Sequence, residues 1–503
     1  MLASLPLRRT LFVTGLSVLL ALGVSCSSNN NNSSGNKPAN SGAAVTQAPA
    51  ASAAAAATKA PAASAAAAAS AAPAASAAAN TSGSPAAGGV QTVAKTFNPP
   101  GGSADWLSGA SGCHGVKAPA GAEAPKASDT GITPTEIHLG TTQPLSGAAV
   151  GYIPIIKTMQ ACFNQVNAEG GIYGRKINIT VYDDQYIPAN TVPLVHKLVE
   201  QDKVFAIASL LGTPTNTSVF DYLNDQKVPQ IWILSGAPAW GADPKSHPYA
   251  IGWQPDYVSE GNAYATYIQQ NLKGKKIGIL YQNDDYGKGY LQGITKVIGD
   301  KGTADNPIVD EEVYETTASD VSGQVTNLKD KGAEVFILIA IPKFAGLALK
   351  AAADQGWKPA IILNSVALDP SLNGLAGGPQ NVTGAISDLY YHQFNENDPA
   401  VTEVKDFLTK NAPDVQMANF PIFGYMIGQT YVETLKRAGV NPTRDSLMQA
   451  AESFQKWTIP QLLPGITFST SFDNRRPLSC FKLAKANPEG SFDLFGDTIC
   501  AHQ

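Results

Sequence analysis

The chain has 503 residues, enough for two or three domains, and carries 35 Lys+Arg against 40 Asp+Glu for a formal net charge of −5. No basic run exceeds a pair, which excludes a protein that grips nucleic acid by neutralising phosphates. The 44% hydrophobic content overstates the core, because an alanine-rich N-terminal stretch inflates it.

Residues 1–25 read as an export signal. Arg8 and Arg9 supply the positive start, and 11–24 is an uncharged apolar run too short to span a bilayer comfortably. Arg8-Arg9 also fits the twin-arginine route, but an ordinary secretion signal is the simpler reading. Gly23-Val24-Ser25-Cys26 is similar to a bacterial lipobox, with the usual leucine displaced to Leu22, so Cys26 is the expected lipidation site. Residues 26–96 are dominated by Ala, Ser, Pro and Asn. With almost no large apolar side chains they cannot offset their ordering entropy, and they read as a disordered tether. Residues 97–130 form an N-terminal extension to the globular part.

Four cysteines remain after Cys26, an even number in an exported chain, which suggests two disulfides. Cys480 and Cys500 flank two apolar arms around Asn487-Pro488-Glu489-Gly490, a hairpin that brings their sulfurs together. Cys113 with Cys162 would then staple the extension to the first helix.

From 136 onward strands alternate with helices. Strands are predicted at 136–142, 176–182, 205–208, 230–234, 276–281, 309–314, 335–339, 361–363 and 383–389. Helices are predicted at 153–168, 190–201, 215–225, 257–271, 288–299, 321–331, 343–355, 400–410, 424–438 and 444–453. In 321–331 the apolar residues Val321, Val325 and Leu328 keep helical spacing, and Asp320 can cap the start. Short apolar strands alternating with helices imply α/β, doubly wound parallel sheets. The strands are too many for one sheet of usual size, so two lobes are expected.

One stretch is more specific. Asn167-Ala168-Glu169-Gly170-Gly171 closes a helix, Gly174 reverses the chain into 176–181, and Tyr182-Asp183-Asp184 precedes a helix restarted at Pro188-Ala189-Asn190. This order resembles the first lobe of the Leu/Ile/Val-binding family of solute-binding proteins, which serve ABC importers. The resemblance runs from about Glu136 to the C-terminus. It implies a type I periplasmic-binding fold: two parallel-sheet lobes joined by a hinge, with 131–252 plus 391–460 as lobe 1 and 256–388 plus 465–503 as lobe 2. It also implies a monomer that binds a small molecule, docks on ABC permease subunits, and touches the membrane only through its lipid. A sensor presenting its ligand to a signalling partner is the alternative.

Matched position by position, the resemblance implies ligand contacts from Tyr152, from Gly212 and Thr213 after the third strand, from Gly236 and Ala237 after the fourth, and from Tyr286 at a later helix start. The family usually has threonine where Pro238 stands. Leucine-type binders carry a tyrosine where this chain reads Ala340-Ile341-Pro342, and a glutamate for the ligand's ammonium where it has Ser365. A buried ammonium without a carboxylate is costly. The ligand is therefore expected to be an apolar or neutral molecule, or a carboxylate without an amine, unless Asp369 or Glu260 supplies the charge. Tyr425 is a further candidate for the cleft.

No nucleophile elbow, His-Glu-x-x-His helix, phosphate loop or Cys-x-x-Cys pair is present. The 6 histidines lack metal-ligand spacing, so neither metal nor cofactor is expected. Asp183-Asp184 and Asp284-Asp285 read as turn and cap residues rather than a catalytic pair.

Overall fold

The computed structural model describes residues 112–501. The export signal, Cys26 and the tether lie outside the described residues.

The first lobe is built from β1 (Glu136–Gln143), α1 (Ile153–Ala168), β2 (Lys176–Asp183), α2 (Pro188–Glu200), β3 (Ala206–Ala208), α3 (Thr213–Thr217), α4 (Phe220–Asp225), β4 (Gln230–Ile233), α5 (Ala239–Ala242) and β5 (Ala250–Gly252). Its strands lie parallel in the order β2-β1-β3-β4-β5. The second lobe follows with α6 (Tyr257–Asn271), β6 (Ile277–Gln282), α7 (Asp285–Ile298), β7 (Ile308–Tyr314), α8 (Ser322–Asp330), β8 (Val335–Ile339), α9 (Pro342–Asp354), β9 (Ala360–Leu363), α10 (Ser371–Leu375) and β10 (Ile386–Leu389). Its parallel strands run β7-β6-β8-β9-β10, which repeats the first order strand for strand. β8, sequence VFILI, is buried at every position, as a central parallel strand covered on both faces must be.

After β10 the chain returns to the first lobe through α11 (Pro399–Asn411), α12 (Asn419–Ala438) and α13 (Arg444–Ala451). It then closes the second sheet with the antiparallel hairpin β11 (Cys480–Ala486) and β12 (Phe492–Cys500). The α12 helix is buried on almost every face and packs along α1. Gly424 and Gly428 permit the approach: a Cβ on Gly424 would lie 2.4 Å from the Ile155 carbonyl oxygen, and one on Gly428 would lie 2.7 Å from Cys162 Sγ. On its other side, Trp232 Nε1 and Trp253 Nε1 each donate a 3.1 Å bond, to the Thr434 and Thr430 hydroxyls one turn apart.

Two disulfides are present among the described residues. Cys113–Cys162 ties the N-terminal extension to α1, and Cys480–Cys500 joins directly opposed residues of the β11–β12 hairpin. Buried Arg175 adds a second tie for the extension. Its guanidinium donates to the carbonyls of Thr133, Lys126 and Val440 and to Asn441 Oδ1.

Three local expectations need correction. The helix expected over 215–225 is two pieces, α3 and α4, broken at Ser218 and Val219. The α12 helix begins five residues before the expected 424, at Asn419, because Pro421 falls in the first turn, where no backbone donor is required. The three-residue β5 was not anticipated.

Candidate functional site

In both lobes the loops that follow the strand C-terminal ends point at one cavity, where an open parallel sheet places its ligand site. After β1 comes a 3-10 turn at Val150–Tyr152; after β3 come Leu211, Gly212 and Thr213; after β4 comes Leu234. From the second lobe come Tyr257 at the start of α6, Tyr286 at the start of α7, Ile341 after β8, Ser365 and Val366 after β9, and Asp388 to Tyr391 at the end of β10. Phe420 and Phe423 close the cavity from α12. The free volume is about 60 Å³. Ligand pockets usually enclose roughly 300–1,000 Å³, so a solute of several heavy atoms requires the lobes to part.

The walls are chiefly aromatic and aliphatic. Tyr152 packs against Phe420 with tilted rings whose centroids are 5.0 Å apart, and Tyr257 meets Tyr286 edge-on at 5.3 Å. Burial pushes the phenols of Tyr152, Tyr186, Tyr286 and Tyr390 well above their ordinary range, so they remain neutral donors and acceptors. No lysine, arginine or histidine borders the cavity among the described residues.

The polar groups are individually fixed. Gly212 has φ +103°, and a Cβ there would sit 2.3 Å from Tyr186 Cε2, so only glycine fits. The Thr213 hydroxyl pairs with Ser235 Oγ at 2.7 Å, and the Tyr257 hydroxyl accepts from Gln254 Nε2 at 3.2 Å. Tyr286 is set by Asp284, whose carboxylate caps α7 by accepting from the Tyr286 N–H at 2.9 Å. The Tyr286 hydroxyl in turn accepts from Asn364 Nδ2 at 2.7 Å.

Across the cleft, the Tyr152 hydroxyl donates to the Val366 carbonyl at 3.0 Å. The Asp369 carboxylate accepts from the Asn419 and Phe420 N–H groups at the start of α12, at 3.1 and 3.2 Å. The lobes are thus in direct contact around the cavity.

Of the residues expected at the site, Tyr152, Gly212, Thr213, Tyr286 and Ser365 line it together. Gly236 and Ala237 are not among the lining residues. Gly236 lies behind Tyr257, its carbonyl accepting the Tyr257 N–H, and the Ala237 N–H is taken by Ser235 Oγ. Tyr425 turns away from the cleft to donate to Glu403 at 2.7 Å. Nor is the corner at Ser365 empty of acid. Ser365 Oγ donates to the fully buried Glu260 at 2.8 Å, and Asp388 borders the cavity beside it. Asp369, the other candidate acid, is committed to capping α12.

Tyr186, Tyr257, Tyr390, Tyr391, Phe420 and Phe423 were not anticipated. The Tyr390-Tyr391 pair directly after a strand was the available signal. The two aspartate pairs organise loops. Asp183 accepts from the Leu145 and Ser146 N–H groups, and Asp184 accepts from Thr142, Thr191 and the Tyr186 N–H. Among the described residues no cluster of His, Cys, Asp and Glu is arranged to hold a metal, and no helix is long and apolar enough to cross a membrane.

Residues 136–491 match the family described as periplasmic binding protein. The chain belongs to that family. It is a solute-binding protein of the Leu/Ile/Val-binding type, and membership places it outside the cytoplasm. Among curated relatives, Leu/Ile/Val-binding protein homolog 3 of Brucella melitensis is 24% identical over 366 residues, covering 72% of this chain and 91% of that one. Among solved structures, a fatty acid ABC transporter substrate-binding protein from Thermomonospora curvata superposes with a TM-score of 0.65 at 22% identity, over 77% of this chain and 97% of that one. A branched chain amino acid ABC transporter protein from Thermus thermophilus with bound valine gives a TM-score of 0.64 at 18% identity, over 73% and 97%. These relatives are binding proteins rather than enzymes.

Proposed function

We propose that this binding protein captures a small, largely apolar organic solute between its lobes and delivers it to an ABC permease, held to the outer face of the cell membrane by a lipid on Cys26. The observation that carries this reading is the convergence of both sheets' C-terminal loops on one aromatic cavity. The relatives are named for Leu/Ile/Val and for fatty acids, solutes whose common part is an aliphatic chain.

In this reading the lobes turn about the crossings near 253–255, 389–391 and 461–464. Tyr152 and Tyr286 clasp the solute from opposite sides, and Gly212 and Thr213 hold a polar end. Gly236 and Ala237 support the wall from behind.

A thermal-shift panel of amino acids, amides, aromatic acids and short-chain acids tests this. A solute at one hundred times its Kd adds about 2.7 kcal/mol, or about 3 °C for a protein of this size. An upshift of that order with an apolar solute, abolished by Tyr286→Ala, is expected. A panel in which only large polar or polyanionic compounds shift the melting point would overturn the assignment.

A further inference from the structure

We propose that Glu260 and Asp388 share one proton, and that this fixes the Ser365 corner of the cleft as a hydrogen-bond acceptor selecting solutes with an N–H or O–H donor there over carboxylates. The proposal deepens the solute-capture reading and rests on it.

Both carboxyls are fully buried. Glu260 Oε2 accepts from the Tyr290 hydroxyl at 2.5 Å and from Ser365 Oγ at 2.8 Å, and Asp388 Oδ1 accepts from Tyr264. The other two oxygens, Glu260 Oε1 and Asp388 Oδ2, have no donor among the described residues. The two carboxyls are electrostatic neighbours, so the partner each orphaned oxygen lacks is supplied by the other carboxyl once one of them is protonated. Two ionised carboxylates are acceptors only, so a bond between them exists only when one holds a proton.

The titratable groups facing the pair are Tyr257 and Tyr264 from α6, Tyr290 from α7, and Tyr390 after β10. All are neutral phenols, and among the described residues no cation offsets a second negative charge. Burial, then the like charge of Asp388, raises the Glu260 pKa far above the ordinary carboxylate range, and burial raises that of Asp388 too. Glu260 therefore holds the proton and donates it to Asp388.

The consequence reaches the cleft through Ser365. A serine hydroxyl has one hydrogen, and this one is spent inward on Glu260, which leaves its lone pairs for the cleft. Behind Ser365 the buried pair carries one negative charge. A solute amide, hydroxyl or ammonium finds acceptors there. A solute carboxylate finds no donor there and meets the negative charge of the pair behind Ser365, unless the pair takes up a second proton. Binding a carboxylate end at this corner then consumes one proton, and its affinity falls up to about tenfold per pH unit as the pH rises. An amide end carries no such dependence.

The test uses the full chain. Glu260→Gln keeps a donor for Asp388 and an acceptor for Tyr290 and Ser365, so it is a permanent mimic of the protonated acid. The folded wild type holds a proton that its unfolded chain releases near the ordinary carboxylate pKa. Wild-type stability therefore falls relative to E260Q as pH rises from 5 to 9, and the difference between the two melting points shifts steadily in favour of E260Q. Parallel curves overturn the shared proton. Should E260Q not fold, infrared spectroscopy of the wild type at pH 7 decides the same point. A protonated-carboxyl C=O band that moves in Asp388→Asn supports the pair, and its absence overturns it.

Calorimetry with 4-methylpentanamide and 4-methylpentanoate at pH 6 and 8 tests selectivity. The expected result is a carboxylate affinity that drops at least tenfold while the amide changes less than twofold. A pH-independent carboxylate affinity overturns the selectivity. If no probe or panel solute binds while the melting curves separate, the shared proton is established, and the solute reading falls together with the selectivity.

Discussion

Asp369→Asn tests how the cleft is held shut. Asp369 belongs to the second lobe, yet its Oδ2 accepts the Asn419 and Phe420 N–H groups at the start of α12 in the first, at 3.1 and 3.2 Å. The α12 helix has no cap of its own, because its N-cap residue is Ala418. The contact therefore supplies across the cleft both the missing acceptor and a negative charge at the positive end of a 20-residue helix. A cap is worth about 1 kcal/mol, and a partly buried charge at a helix terminus about 0.3–2 kcal/mol. Asparagine keeps the shape and one acceptor oxygen but removes the charge, so the closed state should lose about 1–2 kcal/mol. That is about a 5- to 30-fold fall in the closed-to-open ratio, and an equal rise in Kd when the free protein is mainly open. Titration calorimetry measures the Kd, stopped-flow release should show that the change lies in the off-rate, and small-angle scattering should show a larger solute-free radius. Asp369 itself does not line the cavity, and its contact with Phe420 is through the backbone N–H, so unchanged affinity and radius would refute the reasoning, as would a variant that simply unfolds.

Other outcomes follow from single contacts. Gly212→Ala should weaken solute binding more than tenfold, read by calorimetry, since its Cβ meets Tyr186 at 2.3 Å and the position has φ +103°. Replacing Cys113 and Cys162 by alanine opens a cross-link with a sequence separation of 49 and should cost about 4 kcal/mol in denaturant unfolding, with little change in Kd. Arg175→Met strands four acceptors and should cost about 3 kcal/mol or more in the same assay. The His392 pKa is raised chiefly by its hydrogen bond to Glu396, 2.5 Å away. Its contribution is therefore complete below pH 6 and lost as pH rises through the raised value, so His392→Asn should lower the melting point at pH 5.5 and hardly alter it at pH 9.

The βα alternation was legible because each parallel strand is a short apolar run and each long helix keeps one apolar face. The helices at 153–168 and 257–271 have the bounds their patterns suggested. What was missed lacks such a signal: β5 has three residues, and Pro421 disguises the first turn of α12. The cleft residues that follow strands directly, such as Tyr152, Gly212 and Tyr286, could be read from local order. Tyr390 and Tyr391 also follow a strand directly and offered the same signal, but Phe420 and Phe423 could not be read, because their place depends on where the returning chain lays α12 against the other lobe. The acid behind Ser365 was hidden for the same reason. Glu260 and Asp388 are far apart in sequence and meet only when α6 packs beside β10.

The central claim is that one solute is held between two walls that belong to different lobes. Calorimetric titration of the best solute from the panel into wild type, Tyr152→Ala and Tyr286→Ala measures it. One solute per chain and a loss of at least tenfold in affinity from either substitution are expected. Full affinity in either variant, with its fold intact, would contradict it.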